Sequence, residues 1–165
     1  MPTKIQTAVD LEPINMLVLK KLRVIIQAAH NHSDSIRKKC GIGGTQLWLL
    51  QEISDSPSIR VGVLAKKVSL KSTTVSNLID DLEVQSLINK KRAANDQRVV
   101  LLELTEKGAQ LLKTAPKPTK GLLPHSLECM KKSELTKLAN SLDLLINSIS
   151  HYDEKLGSTP LPFNV

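Results

Sequence analysis

The stretch Ser72-Thr73-Thr74-Val75-Ser76-Asn77-Leu78-Ile79-Asp80-Asp81-Leu82 sets apolar residues at 75, 78, 79 and 82 among small hydrogen-bonding ones. Spacings of three and four gather the apolar set on one face of a helix and leave Ser72, Thr73, Thr74, Ser76 and Asn77 on the outer face. Such a helix packs on a core with one side and offers hydroxyls and an amide with the other. Those are groups that reach phosphates and base edges when a helix enters the major groove of DNA. Asp80 and Asp81 follow one turn later, farther from the phosphates if the helix enters N-terminus first. A merely solvated, Ser- and Thr-rich face fits these residues about as well, so the neighbouring segments decide.

Immediately upstream, Val61, Leu64, Ala65 and Val68 mark another short helix, and the break at Ser69-Leu70 makes the pair a helix-turn-helix. Before it, Leu47, Leu50 and Ile53 stripe a helix from about Thr45 to Ser54, closed by the turn cluster Ser54-Asp55-Ser56-Pro57-Ser58. Downstream, from Leu87, the period shortens. Ile88, Lys90-Lys91-Arg92, the polar tip Ala93-Ala94-Asn95-Asp96, Arg98 and the run Val99 to Leu104 read as a two-stranded hairpin. An arginine on a thin hairpin can enter the narrow minor groove, and Asp96 can hold Arg98 by a charge-assisted hydrogen bond. Thr105 is placed to cap the next helix, with Glu106 favourable in its first turn.

The outer segments are helical and more apolar than one partner needs. Ile14, Leu17, Val18, Leu22, Ile25, Ala29, His32 and Ile36 share one face of a first helix, yet Met16, Leu19, Val24 and Ile26 lie off it. Asp10 can cap this helix, Pro13 falls in its first turn, and Gly41, Gly43 and Gly44 end it. Beyond Thr105 the prolines at 116, 118 and 124 should kink or interrupt the chain. A last helix follows, striped by Leu135, Leu138, Ala139, Leu142, Leu145, Ile146 and Ile149, and then an irregular tail over 157–163. The expected fold is mainly α with a small β-hairpin wing: a winged helix-turn-helix over 41–112, an N-terminal helix over 1–40, and C-terminal helices over 113–165.

Composition narrows the function. The 165 residues carry a net charge of +7, which suits a phosphate-bearing partner. Aromatic residues are 2% of the chain, too few for single-strand binding by stacking or for a β-sandwich. Two cysteines cannot make a disulfide framework, and no apolar run approaches a membrane span, so a cytoplasmic protein without a membrane partner is expected. No leader-like apolar segment opens the sequence. No Gly-rich phosphate loop, nucleophile-base arrangement or dense ligand motif appears, so neither enzyme nor cofactor is expected.

Several motifs carry a more specific likeness. Val61-Gly62-Val63-Leu64-Ala65, the stretch Ser72 to Glu83, Ser86-Leu87-Ile88, Asp96-Gln97-Arg98 and Leu104-Thr105-Glu106-Lys107-Gly108 resemble the MarR family of bacterial transcriptional regulators. The likeness is strongest over about Ile42 to Leu112. It implies a homodimer whose first and last helices intertwine as a dimerisation region, bound to a pseudo-palindromic operator in double-stranded DNA, usually to repress. Half-sites would lie about 10 base pairs apart. By position, Lys71, Ser72, Thr73, Thr74, Ser76 and Asn77 would form the recognition-helix contacts. Lys90, Lys91, Arg92, Asp96 and Arg98 would form the wing, whose cations should supply much of the electrostatic grip.

Three departures stand out. Lys71 replaces a capping Ser, so Ser69 or Ser72 should cap instead; Asn77 replaces a frequent Arg; and the prolines break a helix that is usually long. The family also implies a small-molecule effector in a crevice that Trp48 could face. Cys40, beside Arg37, Lys38 and Lys39, is the candidate redox thiol, though the carbonyl end of a helix opposes its ionisation. His30, His32 and Asp34, with His125 and Cys129 at i, i+4, are the residues to test for metal, and no metal site is expected. The alternatives are a winged-helix module that binds protein instead of DNA, or a thiol- or metal-responsive member of the same family.

Overall fold

The computed structural model describes residues 13–165. In order they form α1 (Ile14–Cys40), α2 (Gly44–Asp55), β1 (Ile59–Arg60), α3 (Val61–Lys67), α4 (Ser72–Val84), β2 (Ile88–Ala93), β3 (Asp96–Leu104), α5 (Glu106–Thr114), α6 (Leu122–Glu128) and α7 (Lys132–Asn147). Two short 3-10 turns, Glu154–Ser158 and Pro162–Asn164, end the chain. The fold is mainly helical with a small antiparallel sheet, as expected. The sheet has three strands in the order β1-β3-β2, not two. β1 pairs Ile59 with Leu102 and Arg60 with Leu101. Two residues are too few to show an alternating pattern, which is why the sequence concealed it.

The core is built by the faces that the apolar spacing marked. Leu47, Leu50 and Ile53 of α2, Leu64 of α3, Val75, Ile79 and Leu82 of α4, and Ile88 and Leu102 of the sheet are buried together. Between these helices the chain turns on left-handed residues: Ser58, Ser69 and Ser86 have φ of 62°, 55° and 58°. Ser86 occupies the position after the α4 C-cap where glycine is usual, and the Leu87 amide returns to the Leu82 carbonyl at 2.9 Å. The side chain of Thr105 caps α5, accepting from the Gly108 amide at 3.0 Å. A Cβ on Gly108 would lie 2.1 Å from the Leu87 carbonyl oxygen, so glycine lets α5 press onto the turn between α4 and β2.

Other expectations shift. Asp10 lies outside the described residues, and Pro13 is the N-cap of α1 instead of a first-turn residue. Pro116 and Pro118 occupy the gap after α5, whereas Pro124 sits in the first turn of α6, where no intrahelical bond is lost. On α1 only Ala29, Ser33 and Ile36 are buried, all in its C-terminal half. Ile14, Val24 and Ile26 remain 72%, 68% and 57% exposed, and α7 has no buried residue at all. In a single chain the two outer helices therefore present a large uncovered apolar surface.

Candidate DNA interface

α4 packs against α3 and β2, with Val75, Leu78, Ile79 and Leu82 on its buried face. Its outer face carries exposed Ser72, Thr73 and Asn77, with Thr74 and Ser76 half-buried. Lys71 is its N-cap and makes no side-chain cap bond; Ser69 turns the chain and Ser72 is already helical, so neither caps as the sequence suggested. The first amides of α4 thus have no side-chain acceptor. With the positive end of the helix dipole, they form an anion-seeking end.

The wing cations are engaged within the protein. Lys90 is not a free cation: its ammonium lies against Asp80 and 2.7 Å from Glu83, both on α4. Burial opposes its charge, but the hydrogen bonds it donates to those carboxylates outweigh this and raise its pKa. Lys91 pairs with Glu103 across the hairpin, and Arg92 Nη1 donates to the Gln97 carbonyl at 2.6 Å. Lys90 and Lys91 are therefore largely neutralised within the protein. Arg98 is the exception. Asp96 does not hold its guanidinium; Asp96 Oδ1 accepts from the Arg98 backbone amide at 2.9 Å and shapes the tip of the loop.

Arg98 opens onto a groove of about 530 Å³ between the wing, α3 and α4. Ser72 and Ser76 line it from α4, while Arg60, Gly62, Val63 and Lys66 line it from β1 and α3. Among the described residues no carboxylate pairs with Arg60, Lys66 or Arg98. The sequence reading overlooked Arg60 and Lys66. Spacing shows only that Lys66 shares with 62 and 63 the face of α3 opposite Leu64, Ala65 and Val68. The groove joins these three cations, unpaired among the described residues, to the start of α4, which has no side-chain cap.

A second cavity lies on the far side of α2. It is apolar, about 260 Å³, and lined by Ala29, Trp48, Leu122, Leu123, Leu127 and Leu161 among others. Trp48 forms one wall and donates from Nε1 to Glu52 Oε1 at 3.1 Å. Glu52 is buried yet ionised. Burial would raise its pKa, but hydrogen bonds from Lys67, Trp48 and Lys120 hold it below the usual carboxylate range. Lys67 on α3 and Lys120 ahead of α6 lie 3.1 and 3.3 Å from it, so one carboxylate ties the cavity wall to the helix-turn-helix.

Comparison with known proteins settles the kinship. The model of the MarR family matches residues 44–100. The transcriptional regulator YhbI of Bacillus subtilis is 32% identical over 117 residues, covering 68% of this chain and 73% of YhbI. The organic hydroperoxide resistance transcriptional regulator of the same organism is 33% identical over 109 residues, covering 63% and 74%. The chain belongs to the MarR family. Its fold is that of MarR structures as well: a Streptomyces coelicolor member solved with DNA superposes with a TM-score of 0.59 at 16% identity, over 83% of this chain and 88% of that one. MarR proteins of this kind are transcriptional regulators and not enzymes.

The remaining candidates of this MarR chain are less promising. Burial raises the pKa of Cys40 despite Lys39, which disfavours its thiolate. His30 lies 3.5 Å from Asp34, His32 Nε2 donates to the Pro118 carbonyl at 2.9 Å, and His125 Nε2 lies 3.9 Å from Cys129 Sγ. Among the described residues, no group of three or more His, Cys, Asp or Glu side chains could hold a metal. No described helix is long and apolar enough to cross a membrane.

Proposed function

We propose that the chain is a DNA-binding repressor that acts as a homodimer, sets α4 in the major groove and Arg98 in the adjacent minor groove, and is released by a small apolar ligand. The groove carries this reading, because it brings Arg60, Lys66 and Arg98 around the uncapped N-terminus of α4. Base contacts would come from Ser72, Thr73, Thr74, Ser76 and Asn77, and phosphate contacts from Lys71, Arg60 and Lys66. Lys90, Lys91, Arg92 and Asp96 would hold the wing in shape. The uncovered apolar faces of α1 and α7 match a second copy of the chain, whose identical faces would bury them by two-fold symmetry. The Trp48 cavity supports an effector that is apolar and a few rings at most in size.

The test is binding of the purified protein to duplex fragments selected from genomic DNA, titrated at several salt concentrations. Each phosphate neutralised steepens the fall of log K with log salt by about 0.9. Arg98→Glu should abolish binding while leaving fold and oligomeric state intact. A flat salt response, or unchanged binding by Arg98→Glu, would instead favour a protein-interaction module.

A further inference from the structure

The segment after α7 returns to the body of the protein and touches two functional regions. Asn164 Oδ1 accepts from the buried Ser33 hydroxyl, and Arg37 reaches the main-chain oxygens of Phe163 and Val165. The Phe163 ring stands edge-on to His30 at 5.5 Å. Beneath it lies a glycine pair. Gly43 has φ −73° and ψ 159°, a backbone that any residue adopts. Yet a Cβ there would lie 2.8 Å from both the Asn164 oxygen and the Val165 carbonyl carbon, and one on Gly44 would lie 3.3 Å from Asn164 Oδ1. The missing side chains make room for the tail.

Leu161 and Asn164 then complete the wall of the Trp48 cavity. Upstream of them, the Ser158 carbonyl accepts from the Lys71 amide at 3.3 Å. Lys71 is the N-cap of α4, the end that must face DNA. A carbonyl there occupies a donor and the space that a phosphate oxygen would need, and its partial negative charge repels one.

We propose that residues 153–165 form an intramolecular latch, docked on α1 and the Gly43-Gly44 cradle, that closes the Trp48 cavity and obstructs the DNA-entering end of α4. The inhibitory half rests on the DNA-binding reading above; the docking half does not. Tail and DNA compete for one end of α4, so each weakens the other by the same factor. A ligand in the cavity meets Leu161 and Asn164, and thereby bears on the latch.

Trp48 is the only tryptophan of the chain and reports the docking directly. The double variant Leu161→Ser with Asn164→Ala loosens the tail from its own side, where it cannot unfold the core. Gly43→Val loosens it from the cradle. Both should shift Trp48 emission to the red as water enters the cavity. Both should also bind a selected operator duplex about fivefold or more tighter at fixed salt, as expected when the competent state is freed from a closed one. Unchanged emission in the tail variant overturns the docking. Shifted emission with unchanged or weaker affinity overturns the inhibition. Wild type and both variants all failing to bind any duplex at low salt would overturn the DNA reading and the inhibition together, while emission still reports the docking.

Discussion

Replacing Gly108 by alanine tests the packing that aims the recognition helix. In an isolated helix the change would add about 1 kcal/mol of stability, because alanine is the better helix former. Here the new methyl would meet the Leu87 carbonyl oxygen at 2.1 Å and its carbon at 3.1 Å. Both are backbone atoms that no rotamer change can move, so α5 must retreat by about 1 Å to restore ordinary contact. The retreat stretches the bonds that clamp α5 to the turn after α4: Thr105 amide to Leu87 carbonyl (3.1 Å), Thr105 hydroxyl to Ser86 carbonyl (2.8 Å) and Lys107 Nζ to Gln85 carbonyl (2.8 Å). At about 1 kcal/mol each, less the helical gain, the net loss is about 2 kcal/mol. Urea unfolding followed by Trp48 fluorescence, at one protein concentration, should show a lower midpoint with an unchanged slope. A variant as stable as the wild type, or more so, would refute the account of this contact.

Other outcomes follow from groups already described. Glu52→Gln removes the anion shared by Lys67, Lys120 and Trp48, and should cost about 1–2 kcal/mol at neutral pH by exchanging charge-assisted hydrogen bonds for neutral ones. Because Glu52 is held below its ordinary value of 4.5, its contribution is full above that value and is lost as pH falls through the lower folded one. The gap between variant and wild type, read by thermal melts across pH, should close only in acid. Ile25→Asp, on the exposed apolar face of α1, should convert the proposed dimer to monomer in sedimentation velocity at micromolar concentration. Cys40→Ser should leave the response to hydrogen peroxide unchanged in a DNA-binding assay, since burial disfavours the thiolate.

Much of the DNA-binding element could be read from residue spacing. Val75, Leu78, Ile79 and Leu82 announced the buried face of α4, and the turn residues placed its ends within a residue or two. Ion pairing was harder to see. Lys90 looked like a free wing cation because Asp80 and Glu83 lie in another element, and only the fold brings them together. Arg60 and Lys66 were passed over for the converse reason, since scattered single cations become a cluster only when β1 and α3 line one groove. The docked tail left no local signal, because Gly43 has an ordinary backbone and its reason lies some 120 residues along the chain.

The Lys90 bridge also constrains how such a regulator can be switched. It fastens β2 to α4 through Asp80 and Glu83, and so couples the hairpin to the helix as one head. In the proposed complex, a signal that moved the wing alone would have to break this bridge. Besides acting on the latch, a signal can alter the span between the two heads of the proposed dimer. On a B-form duplex, half-sites one turn apart fix that span at about 34 Å. Regulation then becomes a matter of calliper width, set by how the outer helices carry the two heads.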